Sequence, residues 1–136
     1  MRLESQVCSL ELAKKLKELG VKQGGYFDWN LANDEDDEYR WFAMRNSEFQ
    51  EKWGIPQETI SAFTVAELGE MLPRTVRLER HERPAEWAVL VTGGAIDWDV
   101  SYRVGGGAIY QVVDKDEANA RARMLVYLIE KGIVKL

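Results

Sequence analysis

EWAVLVTGGAIDWDVSYRVGGGAIYQVV, residues 86–113, holds three strand-like runs separated only by glycine pairs or triplets. Glu86–Thr92 is almost continuously apolar, which suggests a central strand. Ile96–Val104 alternates: Ile96, Trp98, Val100, Tyr102 and Val104 share one face, and Asp97, Asp99, Ser101 and Arg103 share the other. Ala108–Val113 forms the third run. Gly93-Gly94 and Gly105–Gly107 are too short for the crossover that parallel strands need, so the runs pair antiparallel. Upstream, Thr75–Glu82 alternates around Val76 and Leu78, and Arg83-Pro84 turns it into the next run. The result is a four-stranded antiparallel meander.

The segments flanking the meander read as helices. Asp114-Lys115-Asp116-Glu117 places acids in the first turn of a helix, where the dipole favours them, and Gly132 is its C′ residue. Ala118, Ala122, Leu125, Leu128 and Ile129 form its buried stripe, with alanines small enough to let it sit close to a sheet. On the other side, FTVAELGEMLP, Phe63–Pro73, carries a capping box in Thr64 and Glu67. Phe63 and Leu68 have the spacing of a hydrophobic staple, and Pro73 stops the helix. Leu68, Met71 and Leu72 are its buried face.

Nearer the N-terminus, Ser9–Leu19 is a helix with Ser9 as N-cap, Leu12, Leu16 and Leu19 as its stripe, and Gly20 at C′. Tyr26–Leu31 and Tyr39–Arg45 are aromatic-rich runs around the polar loop Asn33–Glu38, which reads as a β-hairpin. Asn46–Ala62 is the least regular part, a long connection with one helical turn around Ser47–Trp53 that puts Phe49 and Trp53 on one side. The expected architecture is α+β: about five to six antiparallel strands, as a meander plus a hairpin, with about three helices mostly on one face. A chain of 136 residues is expected to form a single domain, residues 1–136.

Composition narrows the functional classes. A formal net charge of −5 argues against general nucleic-acid binding, which needs a basic face. A single cysteine, Cys8, cannot close an internal disulfide and suits a reducing cytoplasm. The first twenty residues carry charges throughout and do not read as a signal peptide, and no apolar run is long enough to span a membrane.

Few residues carry recognisable chemistry. The loop NDEDDE has five carboxylates in six residues, but they are consecutive and no glycine follows, unlike an EF-hand; a self-repelling loop is the plainer reading. One Cys and one His, His81, fall short of the usual zinc ligand set, and nothing places them together as a nucleophile and base. Gly105–Tyr110 lacks the Gly-Lys-Ser/Thr ending of a phosphate loop. No catalytic constellation and no cofactor motif emerges.

The aromatic set stands out. Five tryptophans and five tyrosines are present, with Trp29, Trp41, Trp87 and Trp98 on expected strands. Arg40 and Arg45 flank Trp41, and Arg103 follows Tyr102. Aromatic faces beside guanidinium groups suit a nucleobase or a phosphorylated ligand; the same rings also suit a small core. The candidate ligand-binding residues are therefore Trp41, Arg40, Arg45, Trp98, Tyr102 and Arg103, with no metal site. The tryptophan excess also suits a buried interface, so a homo-oligomer is among the expected partners.

SLELAKKLKELGVKQ (9–23), AFTVAELGEMLP (62–73), WDVSYR (98–103) and DEANARARMLVYLIEKGIV (116–134) together resemble a widespread group of small phage and prophage accessory proteins. Residues 46–60 and 80–94 lie outside that resemblance. The resemblance implies a virus-encoded protein made in the bacterial cytoplasm, and it carries no catalytic residues over. Small phage proteins without catalytic motifs include counter-defence factors. On that basis the expected function is non-enzymatic sequestration of a small nucleotide-derived immune signal. The alternative is an inhibitor or adaptor that meets a host protein through its acidic and aromatic surface.

Overall fold

The structure is a computed structural model and describes residues 3–33, 38–77, 83–92 and 97–136. After a 3-10 turn at Leu3–Ser5, the order is α1 (Leu10–Glu18), β1 (Phe27–Asn33), β2 (Tyr39–Met44), α2 (Asn46–Trp53), β3 (Glu58–Ala62), α3 (Val65–Met71), β4 (Thr75–Val76), β5 (Ala85–Thr92), β6 (Asp97–Val104), β7 (Gly107–Asp114) and α4 (Glu117–Glu130). The strands form two antiparallel sheets, β2-β1-β3 and β4-β5-β6-β7. The fold is α+β, with seven strands and four α-helices among the described residues. Both counts exceed the sequence expectation.

The excess lies mainly in Asn46–Ala62, expected as a long connection with one helical turn around Ser47–Trp53. It contains α2 and then β3, which pairs with β1 from Phe27↔Ala62 to Leu31↔Glu58. A five-residue strand with burial confined to Ile60, Ser61 and Ala62 is too short to show a period of two. Three of the helices pack together, α4 against both α1 and α3, and α2 lies apart from them. The first sheet carries α1 on one side and α2 on the other, where Phe49 packs against Phe42 and Trp53. Asn30, fully buried beneath α2, donates to the carbonyls of Asp28, Phe42 and Met44 and accepts from Asn46.

The meander forms as read. Trp87, Val89 and Val91 of β5 pair with Tyr102, Val100 and Trp98 of β6, and β6 pairs in turn with β7. Residues 78–82 and 93–96, including His81 and the Gly93-Gly94 turn, lie outside the described residues, as do residues 34–37 of the acidic loop.

One hydrophobic cluster joins the sheets, from Ile60 and Phe63 through Leu16 and Leu68 to Val100, Tyr102 and Leu128. α4 is its centre. Ala118, Ala122 and Leu125 face one way, and Ala120, Met124 and Leu128 are buried on another, because α4 packs on β6 and β7 and also on α1 and α3. The capping box is present: Thr64 Oγ1 accepts from Glu67 N (3.2 Å), and Glu67 Oε1 accepts from Thr64 N (3.0 Å). The second oxygen of Glu67 accepts from Tyr26 N (3.1 Å), tying the start of α3 to the chain entering β1.

Candidate functional site

The six candidate residues do not meet in one place. Arg40 and Trp41 lie on β2, with Lys14 Nζ 5.1 Å from the Trp41 ring. Arg45 caps α2 and stacks its guanidinium 4.1 Å from the Tyr26 ring. Trp98, Tyr102 and Arg103 lie on β6, in the other sheet. Tyr102 is fully buried and donates its hydroxyl to Pro73 O (2.6 Å), so it is a core residue. Arg103 lies on the opposite face of the strand, donating to Ser101 Oγ (2.9 Å) and Gly106 O (3.3 Å), with Asp99 Oδ2 at 3.7 Å. The polar row of β6 is itself partly buried: Asp99 accepts from Gln111 Nε2, and its Oδ1 has no partner among the described residues.

A different aromatic–arginine set does converge. A cavity of about 600 Å³ opens between α3, the chain after it and the start of β5, lined by Trp87, Arg121, Arg74, Glu70 and Glu86, with Gly69, Pro73 and Thr75 as its walls. Each side chain arrives for a local reason. Trp87 lies on the core-side face of β5, edge-on to Tyr102 at 6.1 Å between ring centroids. Arg74 follows Pro73, and its carbonyl accepts from Trp87 N (3.0 Å), which fixes the loop to the strand. Arg121 reaches across from α4. Glu117 Oε1 takes its Nε (3.2 Å) and Nη2 (2.6 Å), and Val65 O takes its Nη1 (3.2 Å). These bonds hold the guanidinium over the Trp87 ring, 5.0 Å from the centroid.

Gly69 makes that approach possible, since a Cβ there would collide with Arg121 Nη1. A glycine inside α3 costs helix stability of roughly 0.5–1 kcal/mol relative to alanine, and an unexplained helical glycine of this kind is the one signal in the sequence that could have found the site. The cavity offers an aromatic face, two guanidinium groups and two carboxylates. Its chemistry suits a planar ligand that carries both hydrogen-bond donors and anionic groups.

Two other cavities contain less. About 500 Å³ lies between Trp98, Val65 and the start of α4, and about 230 Å³ lies between β7 and Tyr127. Cys8 is fully buried, and burial pushes its thiol up to about 11. Alkylation of the native protein at pH 8 is therefore expected to leave Cys8 unmodified, with one adduct appearing by mass spectrometry only in denaturant; rapid native labelling would contradict the burial. The raised value also has a sign. Unfolded protein loses this proton first, so stability falls as pH rises from about 9 towards 11.

No helix among the described residues is long and apolar enough to cross a membrane. Comparison with protein-family models, with curated proteins and with solved structures finds no match for this chain.

Proposed function

We propose that this chain is a phage-type accessory protein that binds and holds a small nucleotide-derived signal in the Trp87–Arg121 cavity without converting it. The observation behind this reading is the convergence of Trp87, Arg121 and Arg74 on one opening of about 600 Å³. That volume is within the range of small-ligand pockets. A base would stack against the Trp87–Arg121 pair, and phosphate oxygens would take the guanidinium of Arg74, which has no hydrogen-bond or ion-pair partner among the described residues. Glu70 and Glu86 would accept from the ring and sugar donors. The phage context rests on the resemblance of the four sequence blocks.

Calorimetry against cyclic dinucleotides and ADP-ribose derivatives tests the reading. At least one member is expected to bind, and Trp87→Ala to weaken it by roughly 10- to 100-fold, since base–aromatic stacking contributes about 1–3 kcal/mol. Arg74→Ala should weaken the same members by removing a phosphate contact. Trp98→Ala, outside the cavity, should leave affinity unchanged. Absence of heat from the folded protein with every member would sink the reading.

A second reading has its own observation. Tyr39, Trp53 and Ile55 are exposed by 60%, 52% and 87% at the hairpin end of the molecule, and Tyr39 directly follows the acidic loop in sequence. Such a surface suits a basic host protein. Salt-sensitive capture of one host protein, lost when Asp34, Asp36 and Asp37 become Asn, would favour it over the ligand.

A further inference from the structure

β7 is the edge of its sheet, and among the described residues no strand or helix lies beside its outer edge. It is eight residues long and carries no charge from Gly107 to Val113, so it has none of the lysines, prolines or inward charges that blunt an edge strand. α4 runs antiparallel above it: Arg123 donates to Val113 O (3.1 Å) and Asp114 Oδ2 (3.2 Å), and Tyr127 lies against Tyr110 at 5.1 Å. The exposed stripe of α4 on this side is Arg123, Tyr127 and Glu130, at a spacing of four and three.

We propose that this flank is a homodimer interface, in which β7 pairs antiparallel with β7 of a second copy about a twofold axis near Tyr110. The occupant follows from self-complementarity. A twofold axis perpendicular to the sheet pairs Gly107 with Val113 of the other copy and keeps each face of the sheet on its own side, so an eight-stranded sheet results. The same axis passes near Tyr127, because Tyr127 stands over Tyr110. It sets the two α4 helices antiparallel, with Tyr127 facing its equivalent and Arg123 opposite Glu130 in both directions. The two charges lie about 6 Å and 4.5 Å from Tyr127 along the helix, a mismatch of only about 1.5 Å. Lys131, just past α4, also lies on this seam, its Nζ 5.6 Å from the Tyr127 ring, and is next to Glu130 in sequence.

The spacing also closes. α4 packs over β6 and β7 alike, so its axis lies roughly one strand spacing from the dimer axis. The two helices are then ~10 Å apart, which is a packing distance. The groove lined by Ile109, Tyr110, Val112, Met124 and Tyr127 lies on this seam and becomes interior. The Trp87 cavity is on the α3 side of α4 and stays open, so the inference is independent of the ligand reading.

Light scattering after size exclusion and sedimentation velocity test it on the full chain. The wild-type protein is expected to be a dimer at micromolar concentration. Arg123→Glu sets a carboxylate against Glu130 of the other copy and should raise the dimer Kd at least 10-fold, and Glu130→Arg should do the same by opposing Arg123. The double variant restores opposite charges and should restore the dimer. Val113→Lys, on an exposed strand position, should also dissociate it while the circular dichroism spectrum stays unchanged. Because Arg123 also bonds Val113 and Asp114, Glu130→Arg is the decisive single change if Arg123→Glu disturbs folding. A wild-type monomer at all concentrations, or a dimer indifferent to all four variants, would overturn the proposal.

Discussion

Phe63→Ala is expected to lower the unfolding free energy by about 3–5 kcal/mol, the range for truncating a buried aromatic side chain. Phe63 is only 2% exposed and belongs to the cluster that joins the two sheets. Its neighbours cannot collapse into the gap easily. Its carbonyl accepts from Cys8 N (3.0 Å), and Thr64 forms a β-bridge with Val7, so the backbone is held on the N-terminal side. On the other side Gly25 packs so closely that an added Cβ would lie 3.2 Å from Phe63 Cδ1. Urea denaturation measures the effect as a shift of midpoint at constant slope. A loss below about 1 kcal/mol would mean that the ring contributes little to the core.

The same residue shows where sequence reasoning succeeds. Its signal is local: Phe63, Thr64, Glu67 and Pro73 define the entry, cap and stop of α3 within a few positions, and the structure has the capping box. The meander was legible for a similar reason, since glycine turns and alternation act between neighbours in sequence. Gly20 and Gly132 both end their helices at positive φ, as their positions after α1 and α4 indicated. β3 was not legible, because its register with β1 is set across about thirty residues and its own five residues carry no clear period. The cavity was less legible still. Trp87 and Arg121 are separated by a whole sheet crossing, and only the packing of α4 against α3 brings them together. The residues grouped from sequence, by contrast, were neighbours along single strands, where alternation sends adjacent side chains to opposite faces. Tyr102 and Arg103 were split in that way, one into the core and one to the outer face.

Tyr102 carries the other large effect, and its two substitutions separate packing from hydrogen bonding. It heads the fully buried side chains by size, so Tyr102→Ala is expected to cost about 3–5 kcal/mol. Tyr102→Phe keeps the ring against Trp87 and removes only the hydroxyl, which leaves Pro73 O without its 2.6 Å donor. That loss is expected to cost about 1–3 kcal/mol. Burial also pushes the phenol well above the ordinary tyrosine range. The folded state therefore keeps this proton when the unfolded state releases it, so the contribution is intact below about pH 10 and is lost as pH rises further. Tyr102→Phe should remove the part of the alkaline loss that sets in above about pH 10 in urea titrations and leave the part from about pH 9 that belongs to Cys8. The link to the cavity is direct, because Pro73 and Trp87, both of which Tyr102 contacts, line it. Affinity for the proposed ligand should fall in Tyr102→Phe even where the protein remains fully folded, through displacement of Arg74 beside Pro73. A variant with wild-type stability and wild-type affinity would show that water replaces the hydroxyl and that the loop is held by β5 alone.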